Sequence, residues 1–264
     1  FMSKKFFAAV FLFVLLLVGT ACAEVVGRFT VINSSTQDAA SIMMKHFEDY
    51  SEVYIGIDIN DISVKFYDSL NTMLLALNKG EIDSITVPRP VGRYVIENNK
   101  NFNVKGFNYW DSLDSSTLNF GLMNAELAEK FNEAIAGIKQ DGTLAMLTDK
   151  YIENFEIPAS ETFEKFDDAE TITVAVTGDL PPIDYVDASG TPAGFNVAVL
   201  KEIAKRLHVN IKTISIDSGS RIAALTSGRA DVIFWLRGDR YKHEVTIADK
   251  INSTIILSEP YYFW

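Results

Sequence analysis

The chain has 264 residues, 48% hydrophobic and 22% charged, with 35 acidic against 24 basic side chains and a net charge of −11. Such an acidic surface repels nucleic-acid phosphates and anionic membrane, so neither is an expected partner. The single cysteine, Cys22, excludes a disulfide framework, and a chain this long buries an ample core without one.

Residues 1–23 read as a secretory signal peptide. Lys4 and Lys5 precede an unbroken apolar run over 6–18, and Ala21-Cys22-Ala23 supplies a cleavage site of small residues. The run is shorter than the roughly 20 apolar residues a membrane-spanning helix needs. Export with cleavage after Ala23 is the expectation. Lipoprotein anchoring at Cys22 is the alternative, because Gly-Thr-Ala-Cys resembles a lipobox with Gly19 where a leucine is usual. Either route makes the protein periplasmic or otherwise extracytoplasmic. The leader holds two lysines and no acid, which leaves 22 basic and 35 acidic residues beyond it, net −13.

Beyond the leader the pattern alternates short apolar runs with amphipathic stretches, an α/β signature. A strand over 28–32 meets Asn33-Ser34-Ser35-Thr36, good N-cap residues that open a helix over 37–50. A strand over 62–67, a helix over 69–78, a strand over 82–87 and a helix over 91–98 introduced by Pro88 and Pro90 follow. Strands over 102–109 and 118–123 precede a long helical stretch over 125–152, with a break at Gly142. Leu127, Phe131, Ile135 and Ile138 form its apolar stripe. Residues 153–171 carry seven acids and no helix or strand period, which marks a solvated connector. After it come a strand over 172–176, a loop over 177–185, a hairpin turn over 187–190, a helix over 195–207 and a strand over 211–216. The chain stops at Trp264 in what reads as mid-strand, so a few further residues are expected.

One pattern occurs twice. Asp68 to Asp83 and Asp217 to Asp231 both end in Ala-Leu-x-x-Gly-x-x-Asp and run into an apolar stretch, 84–87 and 232–236. Each reads as a short amphipathic helix, a glycine stop and a buried strand, the unit from which parallel sheets are built. One such unit in each half implies two similar α/β lobes, and a cleft between lobes is where small molecules bind.

Residues 171–264 resemble the first lobe of the extracytoplasmic solute-binding proteins that feed polar amino-acid ABC importers. The marks are Asp179-Leu-Pro-Pro-Ile-Asp-Tyr185, Gly190-x-x-x-Gly194-Phe-Asn-Val, Ala224-Leu-x-x-Gly-x-x-Asp231 and Ser258-Glu-Pro-Tyr-Tyr262. Residues 28–110 resemble the second lobe, through Ser34-Ser-Thr36, Tyr67-Asp-Ser-Leu70, Gly80-x-x-Asp83 and Arg89-Pro-x-x-x-Tyr94. Phe131-Asn132 and Asp141-Gly-Thr-Leu-Ala-x-Leu-x-x-Lys-Tyr151 resemble the closing segment that returns to the first lobe. The resemblance implies a two-lobed, type II periplasmic-binding (Venus flytrap) fold that closes on its solute. Here the lobes stand in rotated order: a second-lobe-like domain over 24–115, a closing segment over 116–152, an acidic linker over 153–170 and a first-lobe-like domain over 171–264. A circular permutant is the simplest account, and a fragment of a tandem protein is the rival.

Ser34, Ser35 and Thr36 at a helix N-terminus suit an anion or carboxylate. Asp179 and Tyr185 leave a strand at its C-terminal end, where α/β clefts bind ligands. Ile183 stands where the family often has an aromatic, so Phe234 and Trp235 are candidate replacement walls. The resemblance also implies a second Asp five residues after Asp83, where this chain has Pro88, and a carboxylate-clamping arginine, for which Arg237 or Arg240 is the candidate. Arg89 is a further cation for the cleft.

The expected function is therefore capture of a small polar, amino-acid-like solute for delivery to a membrane ABC permease, by a monomer with no cofactor and no catalytic residue. The alternatives are a secreted enzyme on the same fold, cyclohexadienyl-dehydratase-like, with Asp179 and Asp184 as its acids, and a sensory or relic module that has lost its ligand. His46, His208 and His243 stand isolated, and no phosphate-binding, dinucleotide or zinc pattern occurs.

Overall fold

The computed structural model describes residues 24–29, 62–67, 69–107, 118–156, 162–216, 220–234, 243–248 and 254–258. The leader, the Ser34-Ser35-Thr36 loop with its helix, Trp235, Arg237 and Arg240 lie outside the described residues.

The first half begins with β1 (Glu24–Phe29), which starts earlier than the pattern over 28–32 predicts, and β2 (Ile62–Tyr67). In α1 (Leu70–Asn78) Ser69 caps the N-terminus by accepting from the Thr72 amide, and Leu70, Met73, Ala76 and Leu77 form its buried face. The helix stops where Gly80 turns left-handed at φ 67° and the chain enters β3 (Ser84–Pro88). α2 (Arg89–Asn98) begins two residues before the expected Val91. Pro90 lies in its first turn, where the missing N–H costs nothing and the fixed φ favours helix. β4 (Asn103–Phe107) ends this half.

The chain then passes to β5 (Leu118–Leu122). The long helical stretch breaks at Gly142, φ 83°, as its sequence predicts. The pieces are α3 (Ala125–Gln140), capped by Asn124, α4 (Thr143–Thr148) and a π-helical turn (Asp149–Glu153) that runs into the start of the expected connector. Residues 162–170 carry no helix or strand. The second half holds β6 (Thr171–Val176), a small three-stranded sheet of β7 (Asp179–Leu180), β8 (Asp184–Val186) and β9 (Pro192–Ala193), and α5 (Phe195–Leu207). It continues with β10 (Asn210–Ser215), α6 (Arg221–Thr226), β11 (Val232–Phe234) and β12 (His243–Ala248), then β13 (Thr254–Ser258).

Among the described residues two five-stranded sheets result, with orders β2-β1-β3-β13-β4 and β10-β6-β11-β5-β12. Their plans are the same. In each, the first strand pairs in parallel with the second and third, and a strand from the other half lies antiparallel between the third and the fourth. The two copies of the repeated pattern supply β3 and β11, the equivalent third strands. Each copy also turns alike, with Gly80 and Gly228 at φ 67° and 72° and their amides donating to the Leu77 and Leu225 carbonyls at 3.0 and 3.1 Å. The mixed α/β class is as the sequence implies.

Buried apolar residues from both halves form one contiguous core. Within it Phe120 of β5 meets Phe131 of α3 edge-on at 5.4 Å and Phe234 of β11 at 5.1 Å. Arg206 of α5 pairs with Asp141 and ties the α3–α4 turn to the second sheet's helix. Gly194 is required by close approach. At φ 107°, a Cβ there would lie 2.4 Å from the Ile183 carbonyl oxygen.

Two outcomes are expected from urea unfolding. Phe120→Ala costs about 3–5 kcal/mol, because the ring is fully buried between two others. Gly194→Ala costs about 2 kcal/mol or more through backbone clash and strain, whereas Gly228→Ala, with open space around it, costs only its φ penalty of roughly 1 kcal/mol.

Candidate functional site

β6 carries the chain out of the second sheet at Val176, and Thr177-Gly178 turns it into the β7–β8 hairpin. Leu180 and Ile183 are fully buried and anchor this hairpin, while Asp179 pairs across it with Tyr185. Asp184 is buried behind the turn. Its Oδ2 accepts from the Thr177 amide at 3.1 Å and from the Thr177 hydroxyl at 2.6 Å. Its Oδ1 has no hydrogen-bond partner among the described residues. Arg221, at the first position of α6, is also fully buried, and its Nη1 donates to the Phe234 carbonyl at 3.3 Å. The Arg221 charge acts on both Asp179 and Asp184.

Asp179 reaches across to the other lobe. Its Oδ2 accepts from the Leu70 amide, the first of α1, at 2.8 Å, over a separation of 109 residues. A carboxylate at a helix N-terminus satisfies an orphan amide and meets the positive end of the helix dipole. Burial still holds the Asp179 carboxyl above its ordinary value, offset by the Leu70 amide and raised again by the neighbouring Asp184. Burial likewise pushes the Asp184 carboxyl up, against the pull of its Thr177 hydrogen bonds.

These residues border a cleft of about 500 Å³ lined by Ser69 from one lobe and Thr177, Asp179, Ser215, Ser220 and Arg229 from the other. Ser69 and Ser220 immediately precede the helices of the two repeated units. The repeat thus brings two helix N-termini to one place. A larger hollow of about 610 Å³ lies elsewhere, between residues 162–167 and the edge strand β10, with walls from one lobe only.

A second contact joins the lobes. Arg93 of α2 donates to the Ile152 and Glu153 carbonyls at 3.4 and 3.2 Å, pairs with the Glu153 carboxylate at 3.3 Å, and lies 4.7 Å over the Phe155 ring. Tyr94, next in sequence, meets Phe155 edge-on at 6.4 Å. Tyr185 is half-buried, and its hydroxyl is pushed up to about 12 by burial, with Tyr94, Tyr151 and Asp187 adding to the shift.

Of the residues singled out in the sequence, Asp179 lies at the cleft and Tyr185 beside it on the hairpin. Two do not belong to its lining. Phe234 is fully buried against Phe120 and serves as core; what it offers the site is its carbonyl, to Arg221. Arg89 is exposed at the start of α2, and the cation that α2 uses between the lobes is Arg93, one helical turn on. Ser34, Ser35, Thr36, Trp235 and Arg237 lie outside the described residues. Sequence reasoning missed Ser69, Thr177, Ser215, Ser220, Arg221 and Arg229. The signal for Ser69 and Ser220 was present, in the position just before each repeated helix. Among the described residues, no group of three or more His, Cys, Asp or Glu is placed to hold a metal ion.

Residues 172–254 match the family model of the bacterial extracellular solute-binding proteins, family 3. The match holds Thr177, Asp179, Asp184, Ser220, Arg221 and Arg229, so the cleft wall from the second half of the chain lies inside it. Among solved structures, the chain is similar to the ligand-binding component of an ABC-type import system from Staphylococcus aureus with zinc bound, at 10% identity and a TM-score of 0.45, covering 89% of this chain and 65% of that one. It is also similar to a nutrient-binding protein from Burkholderia cenocepacia bound to methionine, at 11% identity and 0.43, over 89% and 84% of the two chains. A shorter stretch is similar to the L-cystine solute receptor of Neisseria gonorrhoeae in the unliganded open conformation, at 31% identity and 0.24, over 25% and 28%. The resemblance to extracytoplasmic solute-binding proteins of ABC importers, read from the sequence, is thus met by the family match over residues 172–254.

The raised carboxyls fix a pH dependence. Folding takes up protons on Asp179 and Asp184 above their ordinary value of 3.8, so their contribution to stability falls as pH rises from there through the raised values. Asp184→Asn removes a buried charge. Its unfolding temperature relative to the unsubstituted protein is expected to climb as pH goes from about 4 to 8; a difference that stays flat, or falls, contradicts the assignment.

Proposed function

We propose that the protein is an extracytoplasmic binding protein that takes a small polar solute into the cleft between its two lobes and presents it to a membrane ABC permease. The observation that carries this reading is the cleft of about 500 Å³, where Ser69 of one lobe faces Thr177, Asp179, Ser215 and Ser220 of the other. Polar groups converging from two lobes are what a hinged receptor needs, because closing the lobes then assembles the site. The family match over residues 172–254 supports it. Extracytoplasmic placement accords with the leader pattern of residues 1–23, and no helix among the described residues is long and apolar enough to cross a membrane.

The reading includes a monomer and a permuted order of lobes. In favour of permutation, the family match begins only at residue 172, after one sheet's own strands, β5 and α3 have passed. A secreted lyase has one feature in its favour, the two carboxyls held above their ordinary range. Asp184, however, exposes no surface to a substrate and is spent on Thr177, so Asp179 would act alone.

Thermal unfolding of the full chain across amino acids, amines, carboxylates and sugars tests the proposal. A solute at 100 times its Kd adds about 2.7 kcal/mol, a rise of roughly 5–10 °C for a chain of this size. Small-angle scattering should show compaction with the same solute. A cooperative transition that no solute moves, or turnover of the solute, sinks the receptor reading.

A further inference from the structure

We propose that the cleft selects small organic cations, with Asp179 as the residue that selects them; the inference rests on the cleft being the solute site. Among the described residues, the α1 N-terminus is the feature by which the first half of the chain would hold an anionic group here, and it is already taken. The Leu70 amide donates to Asp179 and the Thr72 amide to Ser69 Oγ. An anionic solute must therefore displace a tethered carboxylate of like charge. A cationic one meets that carboxylate as a partner.

The wall behind Asp179 points the same way. Asp184 is fully buried, bonded through Thr177, which itself lines the cleft, and keeps Oδ1 without a hydrogen-bond partner among the described residues. Among the described residues, Arg221 is the buried guanidinium set against these two carboxylates. The floor thus sets, among the described residues, two carboxyls, both held above their ordinary range by burial, against one guanidinium. A bound ammonium or guanidinium favours the ionised form of the Asp179 carboxyl that borders the cleft. Arg229 borders the same cleft but is exposed on the turn after α6, where water and salt screen it. Ser69, Thr177, Ser215 and Ser220 offer hydroxyl oxygens, which accept hydrogen bonds from ammonium or guanidinium N–H groups.

Calorimetric titration of the full chain with 1,4-diaminobutane, arginine and guanidinium, against succinate, glutamate and glucose, tests this. At least one cation is expected to bind about tenfold or more tightly than the best anion or sugar, Asp179→Asn to weaken it by about 10- to 100-fold, and Glu133→Gln, at an exposed carboxylate on α3 outside the cleft lining, to leave it within about twofold. If Asp179→Asn does not fold, Asp179→Glu and the unsubstituted protein's own ranking of the probes decide. Succinate, glutamate or glucose binding more tightly than every cation overturns the inference and leaves the solute-binding reading standing. So does an Asp179→Asn protein that keeps full cation affinity. No heat from any probe, together with no thermal shift across the wider solute panel, overturns both.

Discussion

A buried strand must find partners for its backbone amides and carbonyls on both sides, and this chain meets that demand by exchange. β5 fills the gap between β11 and β12, and β13 fills the gap between β3 and β4, each arriving from the end of the other half. Take either away and an antiparallel ladder on each side is lost. The exchange also fixes the architecture. Because the chain passes twice between the sheets, the lobes are tethered at two places.

The two sheets share one plan, so the helix leading into one third strand has a counterpart leading into the other. The repeated helices α1 and α6 both begin at the cleft, with Ser69 and Ser220 just ahead of them. The second half adds a contact of its own across the cleft. Its β7–β8 hairpin, held by Leu180 and Ile183 in the core and by Gly194 against the Ile183 carbonyl, carries Asp179 out to the opposite lobe's first helical amide. The lobes also meet where Arg93 grips the end of the π-helical turn. Both contacts are polar and partly exposed, so they are the kind that solvent and solute can compete for.

The pattern of elements was legible because it depends on local physics. The strand over 62–67, the helix over 195–207 and the break at Gly142 follow from side-chain period and from the one residue type that turns left-handed without strain. Helix starts were less so. Residue period places α2 at Val91, but proline's fixed φ lets the helix begin at Arg89, inside what reads as a turn. At the site, Asp179 was legible from its place after a strand, while Phe234 was not. An aromatic after an apolar repeat suits a cleft wall or a core, and only the ring of Phe120 beside it decides for the core.

By itself, then, the sequence determined the α/β alternation, the doubled helix–glycine–strand unit and the resemblance over the second half, since each is written in near-neighbour spacing. Tertiary structure alone decided which strands are exchanged, that Arg221 is buried, and that Asp179 meets Leu70 across 109 residues. Those outcomes depend on contacts between segments far apart in the chain. No local period encodes such a contact, because its energy exists only once both partners have been brought to the same place.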